Sequence, residues 1–329
     1  MSTSATAQAP PAAAKRVVIT GAASGIGAAT VSELRRRGAR VIGLDVNANG
    51  EDILPCDVRE QASVERAVAQ AVERLGGLDV LINNAGVGTP QSAGSAPDAA
   101  ALAVLEINLV GPWRVTAAAL PALRRSGGRV VNVASGLAHV TVPFAPAYCM
   151  SKRGLVAYSD ALRLEEGDRI TVSTIYPGYI RTPIHLASQQ QGVALEGMVR
   201  AERLEDAART LVRAALDAPV RDLATTRSGT LGYALMRRAP RRLLDRLVLT
   251  QLRRASRRGS FEGSPWPASW PHAWPPLRAR GGASAREGRR PQEKGPAQRL
   301  SGPAAETSAR ASAASSPPIS VRHRLVTAG

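Results

Sequence analysis

The sequence predicts an α/β fold, a doubly wound parallel sheet in three layers forming a single domain. Two observations predict it. Short apolar runs rich in Val and Ile recur along the first half of the chain, separated by stretches of helical spacing. The gaps between runs are long enough for the crossover helix that parallel neighbours need. Strands alternating with helices at this spacing imply right-handed βαβ units and a parallel sheet covered on both faces.

Arg16–Thr20 (RVVIT) reads as the first buried strand, and 25–37 as a helix stopped by Gly38. A second strand follows at 40–44 and a brief third at Ile53–Pro55 (ILP). Residues 60–75 form a helix ending at Gly76 and Gly77, before a fourth strand at 78–83. The stretch 97–125 is mostly helix, 129–134 a fifth strand, 147–166 a long helix and 170–175 a sixth strand. After Pro177 the pattern loosens, leaving helical candidates at 203–217 and 235–254, the latter broken early by Pro240.

The chain has 329 residues and a net charge of +17, but the charge is unevenly spread. Residues 263–329 hold ten Arg or Lys against three Glu, and 233–262 hold nine Arg against two acids. The first 232 residues are close to balance, so the overall basicity does not argue for a specific nucleic-acid partner. Four segments are therefore expected. Residues 1–14 are a disordered lead-in, 15–232 the folded domain, 233–262 a basic amphipathic helix, and 263–329 a disordered tail rich in Pro, Arg, Ser and Ala. The tail carries Trp266, Trp270 and Trp274 in a Pro-rich setting. Its abrupt composition fits a peptide- or anion-binding tail, and equally a non-native frameshift read-through of GC-rich DNA. Two cysteines, Cys56 and Cys149, form no disulfide framework or zinc motif and suit a reducing, cytoplasmic location. The N-terminus lacks the apolar run of a signal peptide, and no stretch nears the roughly 20 apolar residues of a spanning helix.

The first strand runs into Gly21-Ala22-Ala23-Ser24-Gly25-Ile26-Gly27 and then a helix. Glycines let that backbone turn tightly and approach a pyrophosphate, while the helix offers free N–H groups and its positive dipole end. This is the Rossmann-type arrangement for a dinucleotide. Asp45, after the second strand, can accept hydrogen bonds from ribose hydroxyls and repel a 2′-phosphate, favouring NAD(H) over NADP(H). Asp57, with Val58, closes the third strand, where it would contact adenine or else cap the next helix.

Tyr148 and Lys152 lie four residues apart, on one face of a helix. A free phenol titrates near 10, and bringing it to about 7 needs roughly 4 kcal/mol of differential stabilisation. A neighbouring ammonium is expected to supply it and to make Tyr148 a usable acid or base.

With the glycine loop, Asn83-Asn84-Ala85-Gly86, Asn108, Ser135, Tyr148/Lys152 and Pro177-Gly178 in this order and spacing, the sequence resembles the short-chain dehydrogenase/reductase family over about residues 16–200. The resemblance implies hydride transfer between a nicotinamide cofactor and an alcohol or carbonyl. It implies Tyr148 as acid/base, Lys152 tuning it and holding the nicotinamide ribose, Ser135 polarising the substrate oxygen, and Asn108 supporting a proton relay. Asn83 to Gly86 would line the cofactor cleft and brace the sheet. Pro177, Gly178, Ile180 and Thr182 would contact the nicotinamide end. A homo-oligomer, dimer or tetramer, is expected.

The chain departs from the family after the sixth strand, where no clear equivalent of the usual last strand and apolar terminus stands out. In their place, 235–258 sets Leu243, Leu244, Leu247, Val248 and Leu252 among arginines. This suits a lid over the substrate site more than a weak contact with a membrane surface. The expected pocket residues Leu137, Val140, Val142, Phe144 and Leu186 suggest a hydrophobic secondary alcohol or ketone. His139 and His185 read as satisfied loop histidines more than as pocket residues, and Cys149 as packing rather than a nucleophile. The competing readings are an NADPH-preferring reductase, a dinucleotide-binding scaffold without turnover, and a sequence-blind nucleic-acid tail.

Overall fold

Every strand of the sheet runs parallel to its neighbours, and the strand order reverses once. The computed structural model describes residues 14–182, 184 and 201–257. These belong to one compact unit, Met1–Arg278. The expected lead-in (but for Ala14), His185, Leu186 and the tail lie outside the described residues.

The strands are β1 (Arg16–Thr20), β2 (Arg40–Asp45), β3 (Ile53–Pro55), β4 (Val80–Asn83), β5 (Arg129–Val133), β6 (Thr171–Tyr176) and β7 (Asp222–Ala224). They form one sheet in the order β3-β2-β1-β4-β5-β6-β7. The helices are α1 (Gly25–Arg36), α2 (Gln61–Leu75), α3 (Ala99–Leu105), α4 (Gly111–Ser126), α5 (Pro146–Glu166), α6 (Leu204–Leu216), α7 (Arg227–Met236) and α8 (Arg241–Arg257).

Two cores, one on each face, give the three layers. In β1, Val18 faces the core packed by Val64 and Val68 of α2, Leu123 of α4 and Leu162 of α5. Val17 and Ile19, one residue either side, face the core packed by Leu34 of α1 and Leu211 of α6. Each such fully buried Val, Leu or Ile contributes roughly 1.5–3 kcal/mol. The central strands are cross-braced by a buried polar chain. Asn83 Nδ2 donates to Thr116 Oγ1 (2.9 Å) and Asn132 Oδ1 (2.8 Å), and Asn132 Nδ2 donates to Ser159 Oγ (2.8 Å).

The structure departs from the sequence reading in three places. The helix expected over 97–125 is two helices joined by a wide π-turn, Glu106–Val110. Pro112 has no N–H to return to the Asn108 carbonyl, so the usual four-residue ladder cannot continue. The sheet has a seventh strand that the pattern did not reveal, pairing Thr174 with Asp222 and Tyr176 with Ala224. The break expected at Pro240 divides the 235–254 candidate into α7 and α8, but α7 begins at Arg227, ahead of the expected start at 235.

Candidate active site

The reversal in strand order between β1 and β4 opens a crevice at the carboxyl ends of the strands. A cleft of about 410 Å³ lies there, lined by Gly21, Ser24, Gly25, Ile26, Asp45, Asp57, Val58, Asn84, Ala85, Gly86 and Thr182. Gly21 takes φ +67°, and a Cβ on it would stand 2.8 Å from the Ala85 Cα. A Cβ on Gly27 would stand 1.8 Å from the Gly21 carbonyl oxygen, so no side chain fits where the loop folds onto α1. Asn84 pins the loop from β4 by donating to the Thr20 and Gly21 carbonyls (3.0 and 3.1 Å). These glycines form a cradle that only bare backbone can make, and it fits a dinucleotide.

Both Asp45 oxygens are held by backbone, one accepting from Ala23 N–H and the other from Asn47 N–H, each at 2.9 Å. Asp57 does not cap α2, whose N-cap is Glu60. It takes a fork of bonds from Arg59, the closest at 2.6 Å, and this hydrogen bonding holds its carboxyl below the usual range. Arg59, which also lines the cleft, is thereby spent on Asp57.

A second cavity of about 420 Å³ shares Ile26, Asn84, Gly86, Thr182 and Ile184 with the cleft. Ser135, Tyr148, Lys152, Pro177, Gly178 and Ile180 converge on it. Ser135 lies just beyond β5 and caps a short turn, accepting from Leu137 N–H at 3.2 Å. Tyr148 and Lys152 lie on α5, whose start is favoured by Pro146 at its first position. Lys152, 3% exposed, donates to the Val133 carbonyl at 2.9 Å and lies 5.8 Å from the Tyr148 ring centroid. Asn108 lines neither cavity. From the π-turn it accepts from Val87 N–H (2.8 Å) and donates to the Val87 carbonyl (2.9 Å) and Ser151 Oγ (3.2 Å). It thus fixes the strand-end segment carrying Gly86, whose Cβ position lies 3.5 Å from Lys152 Nζ.

One expectation is corrected here. The chain's own groups do not bring Tyr148 near neutrality. Burial pushes the phenol up to about 12, against a hydrogen bond from Ser135 that acts the other way. Burial also pushes Lys152 down to about 8. The ammonium is directed at Val133, and its field does not offset the desolvation of a phenolate.

His139 is corrected as well. It packs at a tilt against Tyr176 (4.7 Å between ring centroids) and Tyr233 (5.5 Å) outside the cavity lining, and its buried Nε2 has no hydrogen-bond partner among the described residues. Burial holds its imidazole down to about 4, so it stays neutral. Cys149 is buried and its thiol is pushed up by burial, which makes it unreactive.

The cavity walls are mostly apolar and include Leu137, Val140 and Val142 together with Val248 and Leu252 of α8. Phe144, expected among them, does not line the cavity. Glu202 and Tyr233 also line the cavity, inside the stretch 183–250 that the sequence assigns to the pocket, but neither is singled out there. Glu202 accepts from Gly178 N–H at 2.9 Å and pairs its own N–H with the Tyr179 carbonyl at 2.7 Å. Tyr233 of α7 packs so close to Gly136 that a Cβ there would stand 2.2 Å from its hydroxyl. Neither belongs to a motif, because both arrive from beyond the sixth strand.

The family model for short chain dehydrogenases matches residues 15–192. A putative ketoacyl reductase of Streptomyces coelicolor is 38% identical over 188 residues, which is 51% of this chain and 71% of that protein. A solved short chain dehydrogenase from Burkholderia cenocepacia in complex with NADP superposes with TM-score 0.60 at 28% identity, covering 70% of this chain and 96% of that one. The 3-ketoacyl-(acyl-carrier-protein) reductase of Brucella melitensis, complexed with NADH, gives TM-score 0.58 at 25% identity, covering 64% and 96%. The chain belongs to the short-chain dehydrogenase family, NAD(P)-binding oxidoreductases built on a Rossmann-type sheet.

Proposed function

We propose that the protein interconverts a largely apolar secondary alcohol and its ketone with NAD(H), using Tyr148 as the acid/base. The observation that carries this reading is the convergence of Ser135, Tyr148 and Lys152 on an apolar cavity that shares its lining with the glycine-loop cleft. The bound nicotinamide dinucleotide supplies the hydride acceptor or donor. In reduction, Tyr148 O–H gives its proton to the carbonyl oxygen and Ser135 Oγ–H hydrogen-bonds the same oxygen. In oxidation, the alcohol proton passes to the Tyr148 phenolate, with Lys152 lowering the cost of that charge. Asn108 acts by positioning the Gly86–Val87 segment behind Lys152.

Asp45 and Arg59 support the NAD(H) preference. The Asp45 carboxylate is fixed beside the loop, where it opposes a 2′-phosphate. The arginine in the same cleft is already engaged by Asp57. The similar Burkholderia protein holds NADP, so NADPH is the second reading. Trp113, Met150 and Leu164, exposed on α4 and α5, support a homo-oligomer. The free, buried thiols of Cys56 and Cys149 support a reducing, cytoplasmic location.

Comparative titration with NADH and NADPH, followed by nicotinamide absorbance over a panel of apolar secondary alcohols and ketones, tests the proposal. Tighter NADH binding with Tyr148-dependent turnover is expected. Tighter NADPH binding would overturn the use of Asp45, and turnover that survives Tyr148→Phe would overturn the acid/base role.

A further inference from the structure

The two sides of α8 face different surroundings. Its inner side supplies Val248 and Leu252 to the cavity wall, and Leu252 is buried. On its outer side Leu243, Arg246, Leu247, Thr250 and Arg254 fall within one arc of the helix at about 100° per residue. Leu243 and Leu247 are 50% and 52% exposed. On α7, Leu231 and Leu235 are exposed still further.

Several arginines elsewhere are compensated, as Arg237 of α7 is by Asp222, whereas others such as Arg66, Arg125 and Arg213 form no ion pair among the described residues. Arg16, Arg36, Arg59, Arg124, Arg163 and Arg209 each sit in an ion pair with a nearby carboxylate. Arg238, Arg241, Arg242, Arg246 and Arg254 form no ion pair among the described residues. Asp245 is the one acid in residues 227–257. The surface therefore combines uncompensated positive charge with protruding leucines.

We infer that the outer face of α8 docks on an anionic phospholipid surface, with leucines entering the headgroup boundary and arginines pairing with lipid phosphates. Charge excludes the nearer alternatives. A second copy would bring the same basic face against this one. Residues 263–329 carry ten Arg or Lys against three Glu and are repelled in the same way. A nucleic acid would engage the arginines but leave the leucines in water. No helix among the described residues is long and apolar enough to cross a membrane, so the contact lies on the surface. Docking also sets the Val248–Leu252 wall of the cavity on the reverse of the lipid-facing helix. That would suit an apolar substrate, a consequence that rests on the proposed function, whereas the docking itself does not.

Vesicle flotation of the full chain tests this without any need for turnover, so its failure is distinct from a failure of the proposed activity. At least about tenfold enrichment is expected on phosphatidylcholine vesicles with roughly 30% phosphatidylglycerol over phosphatidylcholine alone. The pair Leu243→Glu/Leu247→Glu and the pair Arg242→Ser/Arg246→Ser should each cut that enrichment about tenfold while melting as the parent does. No preference for anionic vesicles would overturn the inference. So would full binding by the leucine pair, which would reduce the contact to bulk electrostatics or to the tail. Binding of duplex DNA by a chain that ignores vesicles would overturn it in favour of a nucleic-acid face.

Discussion

Lys152 Nζ lies 5.8 Å from the Tyr148 ring centroid and spends a 2.9 Å hydrogen bond on the carbonyl of Val133. The ammonium is thus anchored to the end of β5, with the phenol one helical turn earlier on α5. Tyr148→Phe removes the proton and keeps the ring. Turnover should fall by roughly 10²–10⁴, while dinucleotide affinity changes by no more than about threefold. Steady-state rates beside a direct binding titration check this, and an equal loss in both would recast Tyr148 as a cofactor-binding residue.

The same pair sets a pH dependence. With burial holding Tyr148 up to about 12, the phenol is protonated at neutral pH and ready to donate. Carbonyl reduction should therefore run at pH 7 and decline as Lys152, held near 8, loses its charge. Alcohol oxidation needs the phenolate and should climb as pH rises from neutrality. Profiles of kcat/KM in the two directions would show opposite slopes. An oxidation rate independent of pH would contradict the assignment.

At the glycine loop, Gly27→Ala places a methyl 1.8 Å from the Gly21 carbonyl oxygen. The loop must move, and the anion-binding N–H groups move with it. Dinucleotide affinity should fall at least about tenfold, with little change in affinity for a substrate analogue that needs no cofactor. Isothermal titration separates the two.

Arg237 fastens α7 to the sheet edge, bonding Asp222 (3.1 Å) and the Tyr176 hydroxyl (2.6 Å). Arg237→Ala should destabilise the fold by about 1–2 kcal/mol, a range already reduced for the partial exposure of the pair. It should also raise KM, since Tyr233 on α7 lines the cavity. The Asp222 carboxyl is held below its ordinary range, with bonds from Arg237 and Tyr176 outweighing its burial. Its contribution is therefore present above the ordinary carboxylate pKa and lost as pH falls through the lowered value. Melting curves across that acid range should be flatter for the variant than for the parent.

Much of this molecule is visible in the linear order of its residues because the determining interactions are local. An apolar run between two helical patterns has few ways to bury itself, so six strands of the sheet stand within two residues of their expected bounds. The glycine loop needs only its own backbone. Tyr148 and Lys152 share a helix face by spacing alone. β7 stayed hidden because three residues beginning with Asp222 carry no pattern, and only pairing with β6 makes them a strand.

Long-range packing decided the rest. Desolvation depends on every atom around a group, so the upward push on Tyr148 could not be read from the Lys152 spacing. Glu202 meets Gly178 across 24 residues, and His139 meets Tyr233 across a longer span still. Which face of α8 turns to the cavity and which to solvent depends on where β6 and α7 leave it. A helical period defines two faces, but only the folded sheet assigns each its neighbour.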